Sequence, residues 1–147
     1  MWAVGRVFAK TAAAFVLMLL PIAAVSYWLG ESFWINYLRL LLPLGVLFSL
    51  IEYTLATEQI LNTRESLLLL PTIWLGLSVV AALPFIVGMP NLAWVDAWFA
   101  AVSGVTTTGA EVFADLAELP LSLLYYRMWL QFLGGLGIVV FAMAWSS

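Results

Sequence analysis

The chain contains no cysteine and no histidine. Without thiols, disulfides and thiol chemistry are excluded outright. Without imidazole, the commonest metal ligand and the commonest general base are both missing. Charge is scarce too: Lys, Arg, Asp and Glu make up 9% of 147 residues, against about 25% in a soluble domain. A net charge of −3 gives no basis for nucleic-acid binding. An enzyme lacks its parts here, because Ser103 and Asp96 are too thin a pair to supply nucleophile, base and metal ligands. What is present is apolar. With 65% hydrophobic residues and a mean hydropathy of +1.10, the chain reads as an integral membrane protein.

The first apolar run covers residues 7–29. Arg6 and Lys10 at its start mark a cytoplasmic N-terminus, and Tyr27 and Trp28 at its end mark the far interface. Its 19 residues from Thr11 to Leu29 exceed a signal-peptide core, and no A-x-A-like cleavage site follows, so it is expected to stay as a membrane helix. Pro21 inside it predicts a kink or a freed carbonyl. A second helix, 33–55, carries Trp34, Pro43 and an Arg39 expected to snorkel to the outer interface. Residues 56–66, ATEQILNTRES, are the longest polar stretch and form the inner loop, with Thr63 or Ser66 capping the next helix. That third helix, 67–87, holds Pro71 and Pro84, and the last helix covers 123–145. Arg6, Lys10 and Arg64 then lie inside, Arg39 and Arg127 outside, while Trp28, Trp34, Trp94, Trp98, Trp129 and Trp145 fall near interfaces.

Between the last two helices lies PNLAWVDAWFAAVSGVTTTGA, residues 90–110. Its apolar part, Leu92 to Ser103, gives 12 helical residues, about 18 Å against roughly 30 Å of hydrocarbon. It enters the membrane without crossing it, and Asn91 is the expected N-cap. Gly104-Val105-Thr106-Thr107-Thr108-Gly109-Ala110 disfavours helix and suits an extended backbone with exposed carbonyls. Such a backbone at membrane depth is tolerated only when buried in protein or lining a water-filled path. A cation filter and a plain Thr/Gly turn fit this composition equally well.

Around this loop stand other candidate residues. Asp96 sits in the first turns of the short helix, where the helix dipole favours a carboxylate; it serves as a capping charge or attracts ions. Glu111, Asp115 and Glu118 come after the loop and either concentrate cations at an outer mouth or form an ordinary solvated acidic stretch. Arg127 needs a partner at its depth, and these three acids are its candidates. Gln131 lies one turn further on. Gly134, Gly135 and Gly137 make a smooth patch whose default role is close helix packing, with hinge bending the lesser reading.

The segment SGVTTTGA (103–110) resembles the first selectivity-filter loop of the TrkH/KtrB (Trk/Ktr/HKT) potassium transporter family. TRESLLLLPTIWLGLSVVAALPFI (63–86) is similar to the outer helix of that family's first pore repeat. NLAWVDAWFAAVSG (91–104) is similar to its pore helix and YYRMWLQFLGGLGIVVFAMA (125–144) to its inner helix. The two leading helices resemble the extra pair that TrkH-type members carry.

The resemblance implies an all-α transmembrane fold. A two-helix hairpin, 1–58, precedes a single pore repeat, 59–147, with outer helix 67–87, pore helix 92–103, filter 104–110 and inner helix 123–145. It further implies potassium passing along the backbone carbonyls of Thr106, Thr107, Thr108 and Gly109, with Gly109 tied to the preference over sodium. No cofactor is implied beyond the transported ion. The implied partners are membrane lipid, a second copy of the complete transporter and a cytosolic ring of nucleotide-binding regulatory subunits. The implied location is a bacterial or archaeal inner membrane.

Two departures stand out. Family members carry four pore repeats and this chain has one, so it is expected to be the first quarter of a longer protein or one of four assembling copies. The ending at Ser146-Ser147, inside a helix, favours the former. Ala100 also stands where the family commonly has a glutamate. The rival reading is a membrane scaffold that keeps the fold without conducting.

Overall fold

A computed structural model describes residues 2–55, 63–110, 112–113 and 119–146. Among them the regular elements are all helices: α1 (Trp2–Leu19), α2 (Pro21–Trp28), α3 (Trp34–Thr54), α4 (Thr63–Gly88), α5 (Trp94–Val105) and α6 (Leu121–Ser146). Four spans, Val4–Trp28, Trp34–Thr54, Leu67–Gly88 and Leu121–Val140, are long and apolar enough to cross a membrane. The 12-residue α5 is not. This is the all-α transmembrane architecture the sequence anticipates.

Proline shapes the leading span. Pro21 has no amide hydrogen and takes the first position of α2, where none is needed. The ladder shortens around it: Leu20 N–H bonds the Leu17 carbonyl at 3.2 Å, and Ala23 N–H bonds the Leu20 carbonyl at 3.0 Å. The expected single helix 7–29 is therefore two pieces. The break also frees a carbonyl, that of Met18, which accepts from Trp129 Nε1 at 2.6 Å. Trp129, anticipated only as an interface marker, thus ties α6 to the kink. At Pro43, Pro71 and Pro84 the helices run on without a break.

Boundaries moved elsewhere as well. α4 starts at Thr63, so 63–66 of the polar stretch are helical, with Glu65 supplying negative charge to the first turn. The rest of that stretch, 56–62, lies outside the described residues. α6 begins at Leu121, directly after Pro120, whose carbonyl accepts from Leu123 N–H at 2.9 Å.

The core lies where α1 meets α3 and α4, and where α5 wedges between α4 and α6. Tyr37, Phe85, Leu123, Tyr126 and Leu130 are fully buried there. Phe85 and Tyr126 pack edge to face at 5.1 Å, an arrangement worth about 0.5–1.5 kcal/mol beyond area burial. The Tyr126 hydroxyl donates to the Ala81 carbonyl at 2.8 Å, joining α6 to α4. A third tie uses Glu31, in the turn before α3. Its Oε1 accepts from the Ser122 backbone N–H at 3.2 Å and its Oε2 from Ser26 Oγ at 3.1 Å. The carboxylate satisfies one of the orphan amides of α6 and faces the positive end of its dipole.

Removing that carboxylate tests the tie. Glu31→Ala is expected to cost about 1.5–3 kcal/mol, the range for a hydrogen bond to a charged group, in thermal unfolding of the detergent-solubilised protein. A change within about 0.5 kcal/mol, the surface background, argues against the clamp.

Candidate functional site

Small residues let α5 sit deep in the protein. Its buried face is Ala97, Ala100, Ala101, Ser103, Gly104 and Val105. A methyl group added at Gly104 would lie 3.0 Å from Leu130 Cβ, so α6 approaches closely at this point. The N-cap is Ala93 in an extended conformation (φ −65°, ψ 143°) with no side-chain cap bond. Asn91 is thus not the cap, because a turn closed by Leu92 N–H to the Met89 carbonyl at 2.9 Å holds it outside the helix. The helix covers 94–105 rather than 92–103, and Gly104 and Val105, expected in the loop, are helical and buried. Asp96 is the third residue of α5 and half-buried, in the first turn as expected.

The helix ends in a turn that uses its own last carbonyls. Thr106 N–H bonds Val102 at 2.9 Å, Thr107 N–H bonds Gly104 at 3.0 Å, and Thr108 and Gly109 N–H both reach Ser103, at 2.9 and 3.4 Å. The Thr107 and Thr108 bonds are the two bonds of a Schellman cap. Such a cap places its next residue in the left-handed region, and Thr107 has φ 60°. For a β-branched residue this is an outlier costing about 1–2 kcal/mol. Gly109 repeats the left-handed turn at φ 70°, while Thr106 is at −85° and Thr108 stays negative, so the sign of φ alternates along the loop.

Peptide geometry turns these bonds into a direction. In a trans peptide the N–H of one residue opposes the C=O of the residue before it. Four consecutive amides point back at α5, so the carbonyls of Val105, Thr106, Thr107 and Thr108 point away from it. Val105 spends its carbonyl against Gly134 of α6. The other three belong to exposed residues, and among the described residues nothing donates to them. The sign of φ alternates along the loop, so it is not the continuous extended strand expected, but the carbonyls are presented all the same.

Side chains brace this turn. Ser103, buried at 6% exposure, accepts two loop amides and also donates its Oγ to the Ala110 carbonyl at 2.9 Å, so one residue holds the loop at both ends. The Thr106 hydroxyl donates to Val102 at 2.7 Å, which leaves Thr108 to donate to Thr106 across 2.8 Å. Sequence reasoning missed Ser103 in this role; the available signal was a small hydroxyl residue closing an apolar helix just ahead of a Thr/Gly run.

The three glycines of α6 separate in function. A methyl group at Gly134 would lie 2.8 Å from the Val105 carbonyl carbon and overlap its oxygen. At Gly135 the nearest atom is Thr107 Cγ2 at 3.9 Å, and at Gly137 it is the Trp74 ring at 3.4 Å, both ordinary contacts. Gln131 reaches the loop, its Nε2 lying 3.6 Å from where a Cβ on Gly109 would stand. The Arg127 guanidinium lies over the Phe113 ring, 5.6 Å from its centroid. Glu111, Asp115 and Glu118, its candidate partners and the candidate outer mouth, lie outside the described residues. Among the described residues no group of three or more His, Cys, Asp or Glu side chains could hold a metal ion. The polar groups the loop presents are backbone carbonyls and threonine hydroxyls.

A buried half-length helix handing over to an outward-facing carbonyl loop, between two spanning helices, defines an integral membrane protein in which one segment enters the bilayer without crossing it. Comparison with known proteins supplies the family. The TrkH family, described as a cation transport protein, matches residues 44–146, and the chain belongs to it. It is 45% identical over 85 residues to the Trk system potassium uptake protein TrkG of Escherichia coli K12, covering 57% of this chain and 18% of that protein. It is 36% identical over 134 residues to TrkH of Halomonas elongata, covering 88% of this chain and 27% of that one. The crystal structure of the potassium transporter TrkH from Vibrio parahaemolyticus superposes with a TM-score of 0.89 at 30% identity, over 97% of this chain and 31% of that chain. The chain thus spans less than a third of the length of these relatives.

The glycine distinction is directly testable. Gly134→Ala is expected to destabilise the solubilised protein by about 1–3 kcal/mol, the range for overpacking. Gly135→Ala is expected to stay within about 0.5 kcal/mol. Equal effects would contradict the close approach of Val105 to α6. Thr107→Gly is expected to raise stability by about 1 kcal/mol by relieving the left-handed threonine, and unfolding midpoints measure both.

Proposed function

We propose that this chain contributes one wall of a potassium-selective pathway through the membrane, as the first pore repeat of a TrkH-like uptake protein. The observation that carries the reading is the set of four amides, Thr106 to Gly109, returned to α5, which leaves consecutive carbonyls facing outward. Dehydrating a potassium ion requires a cage of such oxygens in place of water, and closing one takes about four loops. In this reading the ligands are the carbonyls of Thr106, Thr107, Thr108 and Gly109. Residues 1–58 act as a leading hairpin and 59–147 as the repeat. Potassium is the ion because the relatives are named potassium uptake proteins.

The remaining walls come from three further repeats, in the same longer chain or in other copies. Glu111, Asp115 and Glu118 line the outer mouth, and Asp96, Arg127, Gly134, Gly135 and Gly137 support the pore. The N-terminus is cytoplasmic in an inner membrane. The complete transporter pairs with a second copy and with a nucleotide-binding regulatory subunit on the cytosolic side.

Gly109 offers the sharpest test. Any other residue there strains the left-handed backbone by about 1–2 kcal/mol, while its Cβ meets Gln131 only at ordinary contact distance. In a potassium-uptake-deficient bacterium, the complete four-repeat protein carrying this segment is expected to restore growth on low potassium. Gly109→Ser is expected to lower the preference for potassium over sodium by about tenfold, the equivalent of 1.4 kcal/mol. A non-conducting scaffold predicts no transport phenotype for any change in Thr106–Gly109. Unaltered selectivity in Gly109→Ser would sink the filter assignment. Ser103→Ala is expected to act in the same direction, since the Ala110 carbonyl loses its donor, and Ser103→Thr is expected to restore it.

A further inference from the structure

We propose that α1 and α3 hold one glycerophospholipid, with its phosphate on Arg39 and an acyl chain in the groove beneath it. Arg39 is exposed on a membrane-crossing helix, five residues past Trp34 and so roughly 8 Å along the axis from the helix start. Among the described residues no carboxylate or carbonyl partners it. From that position the side chain snorkels to the headgroup level, where lipid phosphate is the anion within its reach. Tyr27 and Trp34 pack edge to face at 5.3 Å at this end of the helices, an aromatic pair of the kind that sits at headgroup level.

Directly along the helix from Arg39 the surface changes character. Positions 39, 42, 46 and 50 fall on one stripe of α3. Leu42, Val46 and Leu50 are exposed, and with Leu17, Leu20 and Gly45 they line a groove of about 350 Å³. It runs beside the break between α1 and α2. Gly45 gives it depth, since even a methyl group there would sit 3.5 Å from Val16 Cγ1. Its one hydroxyl, Ser49 Oγ, donates its proton back to the Gly45 carbonyl at 2.8 Å, so the wall is almost entirely apolar toward a ligand. A cation at the headgroup end and an apolar slot running into the membrane are the two halves of a phospholipid site. A second copy docking by this same face would bring another Arg39 and no carboxylate to this level. A foreign helix would need a carboxylate at this one level. The lipid satisfies both halves with one molecule.

Native mass measurement of the detergent-purified chain, reloaded with phosphatidylglycerol or with diacylglycerol lacking the phosphate, tests the idea. One phosphatidylglycerol per chain is expected to survive, and Arg39→Ala, an exposed position that does not threaten folding, is expected to lower its retention by about fivefold. Gly45→Leu, which fills the slot, is expected to lower retention of both lipids, and diacylglycerol is expected to be indifferent to Arg39→Ala. Equal phosphatidylglycerol retention by wild type and Arg39→Ala overturns the proposal. So does a photo-cross-linker placed at Val46 that captures polypeptide instead of lipid in membranes containing the complete transporter.

Discussion

An amide without a partner costs several kcal/mol inside a bilayer, so a chain that leaves helix at membrane depth must satisfy its own backbone. The turn after α5 meets that demand with the last carbonyls of the helix it leaves, those of Val102, Ser103 and Gly104. Once those bonds form, little is left open. Thr107 is driven into the left-handed region despite its β-branch, Gly109 does the same two residues on, and the carbonyls between them face away from the helix. Strain of this kind persists only where the surroundings over-determine it. Here they do: Ser103 holds both ends of the loop, and the Thr106 and Thr108 hydroxyls bond within it.

The pocket that receives this turn depends on α6 being close and correctly seated. Gly134 removes the side chain that would block Val105, and Gly104 does the same toward Leu130. Three bonds from distant parts of the chain then fix α6: Trp129 to the Met18 carbonyl, Tyr126 to the Ala81 carbonyl, and the Ser122 amide to Glu31. Two of the three reach the leading helices. Those helices therefore do more than anchor the chain in lipid; they position the helix against which the loop rests. The kink at Pro21 belongs to the same design, since breaking the ladder there is what exposes the Met18 carbonyl to α6.

Much of this was legible in advance. Four apolar stretches of spanning length and one too short to span gave the architecture, and the Thr/Gly run marked where the short helix stops. Gly109 has no Cβ to forbid a positive φ, and it adopts one. Asn91 misled because capping preference is local, whereas the Met89–Leu92 turn decided where the helix could begin. Gly134, Gly135 and Gly137 looked alike because spacing on one helix says nothing of what stands opposite. The tie between Glu31 and Ser122 has no local signature, because the two lie 91 positions apart. The left-handed Thr107 ran against its own propensity, as residues at over-determined turns do.

What the sequence by itself determined was set by solvation and sterics one residue at a time. Scarce charge and long apolar runs place the chain in the membrane, Pro21 must interrupt a ladder, and Gly109 is free to turn left-handed. What only the tertiary structure decided concerns direction and partnership. Which way the Thr106–Thr108 carbonyls point depends on where their amides find acceptors, and which glycine matters depends on the backbone packed against it. Both are set by segments far apart in the chain, so no local pattern carries them.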